Sequence, residues 1–255
     1  MSLYDYPRYY DLVYGSDWKA EFDFLTGVFN KHVCGETKRL LEPACGTGRL
    51  IFRLQRAGFQ VDGLDLSSKA VHYCNKRLQR HGLQASAWVG DMTNFKVTSK
   101  YCAAFNTINS FRHLEQHHQA RDHLVCMAKA IRKGGIYVLG LHLSPKIGEA
   151  SEEESWIARR GHLCVQTSMW LIHRNLKQRY ERFHMRYDIW TPTNHETLDD
   201  EFNFRTYTKK QFEKELLKGI PEFEIAATYD FSYDLNQPIQ VDDHSEDVVY
   251  ILKRV

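Results

Sequence analysis

Ten residues set the architecture of this chain: Leu40-Leu41-Glu42-Pro43-Ala44-Cys45-Gly46-Thr47-Gly48-Arg49. Its apolar first part predicts a buried strand, and the apolar residues after the Gly-x-Gly turn recur at helical spacing, which predicts a helix that ends at Gly58. Glycine lets the backbone of such a turn approach a ligand closely, because glycine has no Cβ. The dinucleotide fingerprint requires a third glycine where this chain has Ile51. The turn is therefore typical of nucleoside binding and disfavours an NAD-linked dehydrogenase.

Acidic residues follow the next two predicted strands. Residues 60–66 form the second strand, and Asp65 lies near its end, 19 positions after the first glycine of the turn. An acid about 20 residues after a glycine turn is placed to accept hydrogen bonds from both hydroxyls of a ribose. Residues 86–90 are predicted to form the third strand, and Asp91 and Met92 follow it. Asp91 could accept a hydrogen bond from an adenine amino group, and Met92 could pack on the adenine ring. Either acid also fits a solvated carboxylate at a strand end.

The order and spacing of these motifs resemble those of the class I S-adenosylmethionine-dependent methyltransferases of the small-molecule type. In that family the glycine turn carries the methionine part of the cofactor, and the two acids hold its ribose and meet its adenine. The resemblance extends over residues 10–143 and 205–254, with Ala44 in place of the first glycine of the family's usual Gly-x-Gly-x-Gly. It implies S-adenosyl-L-methionine as the cofactor. The residues it assigns to cofactor binding are Tyr10, Tyr14, Glu42, Ala44, Cys45, Gly46, Gly48, Asp65, Leu66, Asp91, Met92 and Asn109.

Composition narrows the class of protein. The 34 basic and 32 acidic residues leave a net charge of +2, which is too balanced to indicate a nucleic-acid or membrane-surface binder. The six cysteines have no metal-binding spacing, so we expect no metal site and a reducing compartment. No apolar run approaches the roughly 18 residues of a spanning helix, and the N-terminus has no signal-peptide pattern. We therefore expect a cytoplasmic protein with no membrane partner.

The predicted fold is α/β. Strands and helices alternate over residues 38–142, which predicts a Rossmann-like, doubly wound, mostly parallel seven-stranded sheet. Ligands of such sheets bind beyond the carboxyl ends of the strands, near the topological switch point. The fourth strand, residues 102–108, and the fifth, residues 136–142, would therefore bring Asn109 and His142 to the same crevice as the glycine turn.

The regions before and after this core have other patterns. Five tyrosines between Tyr4 and Tyr14 precede a predicted helix that begins at Ser16 or Asp17. They fit a clamp that packs on the core. The resemblance alternatively implies that the segment from Tyr10 to Tyr14 closes over the sulfonium of the cofactor, where an aromatic face stabilises a cation.

An antiparallel insertion is predicted after the fifth strand. Residues 163–172 and 178–190 alternate as antiparallel strands do, and an acidic run at residues 152–154 is expected to be solvated. The arginines of the second stretch also fit RNA binding, but a hairpin with one solvated face fits them better. In small-molecule methyltransferases an insertion at this point often covers the acceptor pocket, and the resemblance implies such a lid here.

The last part of the chain returns to the core. Thr208-x-x-Gln211 is a capping box that predicts a helix through Leu217. Residues 223–233 and 247–253 predict a final hairpin, antiparallel because its connection is short. We expect a single methyltransferase domain divided into a cap at residues 1–35, a core at residues 36–145 and 204–255, and a lid at residues 146–203.

Methyl transfer from a sulfonium requires orientation and exclusion of water more than a catalytic group, because the cofactor supplies the activated carbon. If a base takes part, His113 and His142 are the candidates, followed by Tyr10 and Tyr14. A neutral histidine suits deprotonation of an amine or an acidic hydroxyl, although these histidines also fit packing roles. Asn109 fits either a contact with the cofactor or acceptor or a cap of its own turn.

The sequence favours transfer of a methyl group to the N or O nucleophile of a small molecule, by a monomer or homodimer. A nucleic-acid or protein methyltransferase would need an open basic cleft or the Asn/Asp-Pro-Pro-aromatic signature, and Ile108-Asn109-Ser110-Phe111 lacks both prolines. A catalytically silent S-adenosylmethionine-binding scaffold or partner subunit stays open, because the acceptor region carries no diagnostic motif.

Overall fold

The computed structural model of the protein describes residues 3–144 and 153–255. Outside the described residues lie residues 1–2 of the predicted cap and residues 145–152. The second range includes Pro145, where the first part of the predicted core ends, and the start of the predicted lid and of the acidic run. The described strands are β1 (Arg39–Pro43), β2 (Gln60–Asp65), β3 (Ala87–Val89), β4 (Tyr101–Asn106), β5 (Ile131–His142), β6 (Glu153–Arg160), β7 (Leu163–Asn175), β8 (Tyr180–Thr191), β9 (Asn194–Arg205), β10 (Phe223–Tyr229) and β11 (Asp247–Arg254). The helices are α1 (Pro7–Gly15), α2 (Lys19–His32), α3 (Arg49–Arg56), α4 (Ser68–Arg80) and α5 (His117–Ala130), with shorter helical segments elsewhere.

Seven strands form the central sheet, in the order β10-β11-β5-β4-β1-β2-β3. The pairs from β5 to β3 are parallel, and β11 is antiparallel to both of its neighbours. The α/β class and the mostly parallel sheet with an antiparallel final hairpin are therefore confirmed. From β1 the sheet grows in one direction through β2 and β3 and in the other direction through β4 and β5. The topological switch point therefore lies between β1 and β4, and a crevice opens there at the carboxyl ends of these two strands.

Helices cover both faces of the central sheet. α2, α3 and α4 bury one face through a cluster that includes Phe24, Leu50 and Leu78. α5 and the helical segment Gln211–Leu216 bury the other face, with Leu124 fully enclosed. Burial of the apolar side chains on each face stabilises the fold by about 25 cal/mol per Å² of apolar surface removed from water.

Three local predictions need correction. Pro7–Gly15 form a helix, α1, because proline suits a first helical turn and Leu12 and Val13 gain burial against the second sheet. No helix separates β3 from β4 over residues 90–100, so the predicted alternation breaks there. β5 begins at Ile131 rather than at residue 136, because pairing with β4 already starts at that residue.

Four strands form a second, antiparallel sheet in the order β6-β7-β8-β9. Its central pair, β7 and β8, corresponds to the predicted hairpin, and the inserted antiparallel sheet is confirmed. Its inner face packs Val165 and Met185 against Leu12 of α1. Glu153 and Glu154 of the predicted acidic run are exposed residues of β6. The second sheet and α1 therefore enclose the crevice from the side opposite to the central sheet.

The capping box at Thr208 forms as predicted. Gln211 accepts a bond from the backbone N–H of Thr208 at 2.9 Å, and the Thr208 hydroxyl accepts one from the backbone N–H of Gln211 at 3.3 Å. The segment that follows, Gln211–Leu216, is π-helical and continues as the short turn Leu217–Gly219.

Candidate active site

The turn between β1 and α3 has a backbone that few residues adopt. Ala44, Gly46 and Gly48 all have positive φ, at 52°, 51° and 69°. A non-glycine residue with such a φ is strained. Ala44 adopts this strained conformation at the position where the family pattern has glycine. The backbone N–H of Gly46 donates to Oδ2 of Asp65 at 2.8 Å, which joins the turn to the end of β2.

Two adjoining cavities open at the carboxyl ends of the strands. The edge cavity, of about 420 Å³, lies over the ends of β2 and β3 and is lined by Asp65, Leu66 and Met92, among others. The central cavity, of about 180 Å³, lies between the ends of β1 and β4 and the inner face of the second sheet. Five residues line both cavities: Tyr4, Tyr10, Ala44, Ser110 and His113.

Eleven of the fourteen residues predicted for the site line one or both cavities. The residues at the central cavity are Tyr10, Tyr14, Glu42, Ala44, Cys45, Asn109, His113 and His142, and the edge cavity adds Asp65, Leu66 and Met92. Gly46 lies beneath Tyr10, since a Cβ built on it would be 3.1 Å from Cε1 of that ring. Gly48 is the N-cap of α3, and Asp91 points elsewhere.

Asp65 has both carboxylate oxygens engaged by the backbone. Oδ1 accepts from the N–H of Ser67 at 2.8 Å, and Oδ2 accepts from Gly46. Partial burial raises the pKa of Asp65, although these two N–H donors oppose the rise. A carboxylate oxygen accepts more than one hydrogen bond, so the group keeps capacity for ligand hydroxyls from the edge cavity.

Asp91 forms a local turn. Its Oδ1 accepts from the backbone N–H and the hydroxyl of Thr93, both at 2.8 Å, and the side chain is exposed. It does not line the edge cavity, whereas Met92 beside it does. The role of Asp91 at an adenine stays a prediction.

Two residues that line the central cavity each have a buried side-chain oxygen. Oε2 of Glu42 and Oδ1 of Asn106 have no hydrogen-bond partner among the described residues. Burial raises the pKa of Glu42 to about 8, against the opposing charge of Arg49. Sequence reasoning missed Asn106, although its place at the carboxyl end of β4 was a usable signal. Unsatisfied acceptors are costly in a buried site, so this pair fits a donor supplied by a ligand.

Aromatic rings separate the two cavities. The Tyr10 ring centroid lies 5.4 Å from that of Tyr4 and 4.7 Å from that of Tyr14, and the Tyr4 hydroxyl lies 3.5 Å from Nε2 of His113. Burial raises the pKa of Tyr10, and it raises the pKa of Tyr14 to about 12, so both hydroxyls stay protonated at neutral pH. Surrounding protein lowers the pKa of His113 to about 4 although its ring is accessible through the cavity. This histidine is neutral and the tyrosines act as hydrogen-bond donors.

Asn109 and His142 hold each other. Oδ1 of Asn109 accepts from the backbone N–H of His142 at 3.0 Å, and Asn109 has a φ of 55°. The imidazole of His142 pairs with Asp247, and its ring is partly exposed. Asn109 therefore joins the ends of β4 and β5, and its side chain makes no capping hydrogen bond within its own turn.

Asp11 was not predicted as a site residue, yet it attaches helix α1 of the N-terminal cap to the walls of the site. Its buried carboxylate accepts from the hydroxyls of Thr47 at 3.1 Å and Tyr73 at 3.2 Å. It also pairs with Arg77 at 2.6 Å and with Arg160 at 2.9 Å. One side chain thereby connects α1 with the glycine turn, α4 and the second sheet.

A second buried ion pair connects the sheets. Arg112, in the turn after β4, pairs with Glu181 of β8, and its Nε donates to the backbone oxygen of Arg205 at 2.9 Å. Glu181 also pairs with Arg174 at 2.8 Å. Because both Arg112 and Glu181 are buried, the pair positions the second sheet over the central cavity.

Within residues 3–144 and 153–255, no group of three or more histidines, cysteines or acids is arranged to hold a metal ion. In the same ranges, no helix has both the length and the apolar character that crossing a membrane requires.

Comparison with known proteins identifies relatives of similar architecture. The family described as "Methyltransferase domain" matches residues 40–135. The chain is 22% identical over 186 residues to "Putative methyltransferase YqeM" of Bacillus subtilis, covering 72% of this chain and 73% of the relative. It is 27% identical over 138 residues to "dTDP-3-amino-3,4,6-trideoxy-alpha-D-glucopyranose N,N-dimethyltransferase" of Streptomyces venezuelae. That alignment covers 53% of this chain and 56% of the relative, so it spans about half of each.

A solved structure has the same fold throughout. The "S-adenosylmethionine-dependent methyltransferase from Clostridium acetobutylicum ATCC 824" superposes with a TM-score of 0.78 at 17% identity, and the match covers 98% of both chains. The likeness therefore includes the second sheet as well as the central one.

Proposed function

We propose that this chain, which belongs to the class I S-adenosyl-L-methionine-dependent methyltransferases, transfers the cofactor's methyl group to the N or O nucleophile of a small-molecule acceptor in the central cavity. The observation that supports this best is the common wall of the two cavities. Tyr4, Tyr10, Ala44, Ser110 and His113 line both, so a ligand of the edge cavity and a ligand of the central cavity would meet there.

The residues of the site fit this cofactor. Asp65 retains acceptor capacity toward ribose hydroxyls, and Leu66 and Met92 offer apolar surface to an adenine ring. Gly46 lets the ring of Tyr10 pack directly on the turn at the common wall, since a Cβ on Gly46 would crowd that ring. The unpartnered oxygen of Glu42 suits the ammonium of the methionine part, since a nearby cation favours the ionised carboxylate.

The chain contributes orientation and exclusion of water. The bound cofactor supplies an activated methyl carbon on a sulfonium. Tyr10 lies at the common wall, and the ring of Tyr14, tilted against it with the centroids 4.7 Å apart, lines the central cavity beside it. The faces of these rings suit a cation, and their protonated hydroxyls donate hydrogen bonds. Alignment of two bound reactants can be worth roughly 7–11 kcal/mol. His113 is neutral at neutral pH, so one of its ring nitrogens can accept a hydrogen bond from the molecule to be methylated. Its lowered pKa makes it a weak base.

A small acceptor is supported by the shape of the site. The second sheet and α1 cover the central cavity, whose volume of about 180 Å³ suits a small molecule. The relative from Streptomyces venezuelae is named for an amino sugar, which is a small acceptor as well. We accordingly propose residues 1–35 as the cap, residues 36–145 and 204–255 as the core, and residues 146–203 as the lid.

The cytoplasm is the proposed location of this monomer or homodimer. All six cysteines carry free thiols, which is typical of a reducing compartment.

Ligand-dependent stability tests the cofactor assignment. S-adenosylmethionine and S-adenosylhomocysteine should each raise the melting temperature, and NAD should not. At 100 times its dissociation constant a ligand stabilises the folded state by about 2.7 kcal/mol. Substitution Asp65→Ala should abolish most of this shift, because the ribose loses its acceptor.

Asp62→Ala is the matched control. Asp62 lies on the same strand but bonds Arg39 at 3.0 Å and Tyr101 at 2.8 Å, away from both cavities. It should change the melting temperature of the free protein and leave the ligand-induced shift intact. An Asp65→Ala protein that binds S-adenosylhomocysteine with unchanged affinity would refute the ribose assignment.

A further inference from the structure

We propose that two arginines at the junction of the second sheet and α5, Arg179 and Arg205, form a binding site for a phosphate group. Arg179 is the residue before β8, in the turn that follows β7, and Arg205 is the last residue of β9. Neither side chain lines the central or the edge cavity, so this anion site is separate from the candidate active site.

The two guanidinium groups meet at the ring of Tyr207. The guanidinium carbon of Arg179 lies 5.3 Å from the ring centroid, and that of Arg205 lies 5.8 Å from it. Burial lowers the pKa of Arg179, and the positive charge of Arg205 lowers it further. Two like charges are therefore held close together, which is unfavourable unless an anion compensates them.

Arg205 is a buried charge without a carboxylate partner. Its residue is 7% exposed, and no acid among the described residues forms an ion pair with its guanidinium. Nη1 donates to the backbone oxygen of Glu115 at 2.5 Å. Glu181, on the neighbouring strand, is already shared by Arg112 and Arg174. Buried charges are normally paired, because burial removes the water that stabilises them.

The guanidinium of Arg179 makes no hydrogen bond to the part of the chain that the structure describes. Its Nη1 lies 3.6 Å from a carboxylate oxygen of Glu215, which is too long for a hydrogen bond. Its Nε and Nη2 are buried without a partner, as is Nε of Arg205. Such donors are costly to leave unsatisfied, and the oxygens of a bound anion are the acceptors they require.

The start of α5 adds positive potential beside the two arginines. Partial burial lowers the pKa of His117, the first residue of this helix, and the charges of Arg205 and Arg179 lower it further. The N-terminus of a helix attracts anions, because its first N–H groups have no acceptor within the helix. The ligand of this anion site is therefore negatively charged.

A phosphate group suits the anion site better than chloride or a carboxylate does. Each guanidinium presents its N–H groups as a planar fork that matches two oxygens of an oxyanion. A phosphate group offers oxygens to both forks and carries a charge of about −1.5 to −2 at pH 7. The side chain of Arg179 is 16% exposed and lies in a turn, so its rotation would admit the anion from the surface.

Calorimetric titration of inorganic phosphate into the full-length protein, at constant ionic strength in potassium chloride, tests the anion site. Phosphate should bind at a single saturable site, and acetate should bind about tenfold more weakly. Methyl phosphate is titrated in parallel. Equal or tighter binding of this ester would assign the site to a phosphorylated molecule, whereas a preference for inorganic phosphate would assign it to the free ion.

Arg179→Gln should weaken phosphate binding about tenfold or more, because one of the two forks is lost. The melting temperature of this variant in chloride should not fall, because the substitution removes a charge that repels Arg205 and removes no hydrogen bond. Arg205→Lys keeps the charge but loses the planar fork, so it should also weaken binding.

Arg121→Gln is the matched control. It removes the same charge from the exposed surface of α5, where Arg121 lies 4.0 Å from Asp122. This variant should bind phosphate as tightly as the natural protein does.

Three results would overturn the inference. They are an absence of phosphate binding by the natural protein, binding of acetate as tight as that of phosphate, and equal phosphate affinity in Arg179→Gln and Arg121→Gln.

Discussion

Single residues of the glycine turn are constrained by space as well as by backbone conformation. Gly48 and Gly82 have nearly identical φ, at +69° and +68°. A Cβ on Gly48 would overlap Sγ of Cys74, whereas a Cβ on Gly82 would meet nothing within 4 Å. The two positions thus separate the cost of the left-handed conformation from the cost of crowding.

Substitution to alanine should therefore have different effects at these two glycines. Gly82→Ala should lower the free energy of unfolding by about 1–2 kcal/mol, which is the cost of a left-handed non-glycine residue. Gly48→Ala should lower it by a further 1–3 kcal/mol, roughly, because the core around Cys74 is overpacked. Urea denaturation of the two variants measures the difference, and equal losses would show that α4 moves aside without cost.

Among the elements, α1 is attached to the site by one buried carboxylate as well as by the apolar contacts of Leu12 and Val13. Asp11 bonds side chains from the glycine turn, α4 and the second sheet. α1 also carries Tyr10 and Tyr14 over the cavities. Its position therefore depends on an interaction among elements rather than on its own helical tendency, since short helices are marginal alone.

Asp11→Asn should destabilise the protein by about 3 kcal/mol, because Arg77 then lacks its buried counter-charge. Hydrogen exchange of α1 should accelerate, and affinity for S-adenosylhomocysteine should fall as the tyrosines lose their support. Urea denaturation and exchange mass spectrometry measure both effects.

Asp23→Asn is the comparison variant for Asp11. Asp23 pairs with Lys19 on the surface of α2, and both side chains are more than half exposed. Its loss should cost less than about 1 kcal/mol. If Asp11→Asn costs no more than this, α1 is held by its apolar contacts alone.

For the whole molecule, a buried histidine couples stability to pH. His123 of α5 is fully buried, with Nδ1 3.0 Å from the backbone oxygen of Met92 and Nε2 2.9 Å from the hydroxyl of Tyr137. Burial lowers its pKa to about 4 from the ordinary value of 6.5. Between these two values the unfolded chain binds a proton that the folded chain does not.

The free energy of unfolding should therefore fall as the pH falls from 6.5 to 4, by up to about 3 kcal/mol from His123. His113 contributes in the same direction, since its pKa is also lowered, but by less, because its residue is exposed and solvent screens the charge. His123→Gln should make the free energy of unfolding less dependent on pH in this range, because one titrating group is removed. His118→Gln, at an exposed position of the same helix, should leave it unchanged. Equal slopes in His123→Gln and the natural protein would contradict the assignment.

Much of the site followed from local patterns in the sequence. Asp65 and the glycine turn were predicted from spacing along the chain, and the structure joins them by a hydrogen bond between Asp65 and Gly46. Spacing was sufficient because parallel neighbouring strands end at the same edge of the sheet. Asp91 follows β3 as expected, but its carboxylate accepts from Thr93 and does not line the edge cavity, so its role at an adenine stays a prediction.

The sequence by itself determined the class of fold, the strands of the mostly parallel sheet with its final hairpin, and the turn on which the cofactor is proposed to lie. These features depend on hydrophobic periodicity and on the backbone freedom of glycine, which act over a few residues. Tertiary structure alone decided the partners of Asp11, the unpartnered oxygen of Asn106 and the meeting of Arg179 with Arg205. Asp11 and Arg160 are separated by 149 residues, and such contacts depend on how sheets and helices pack, which no local pattern records.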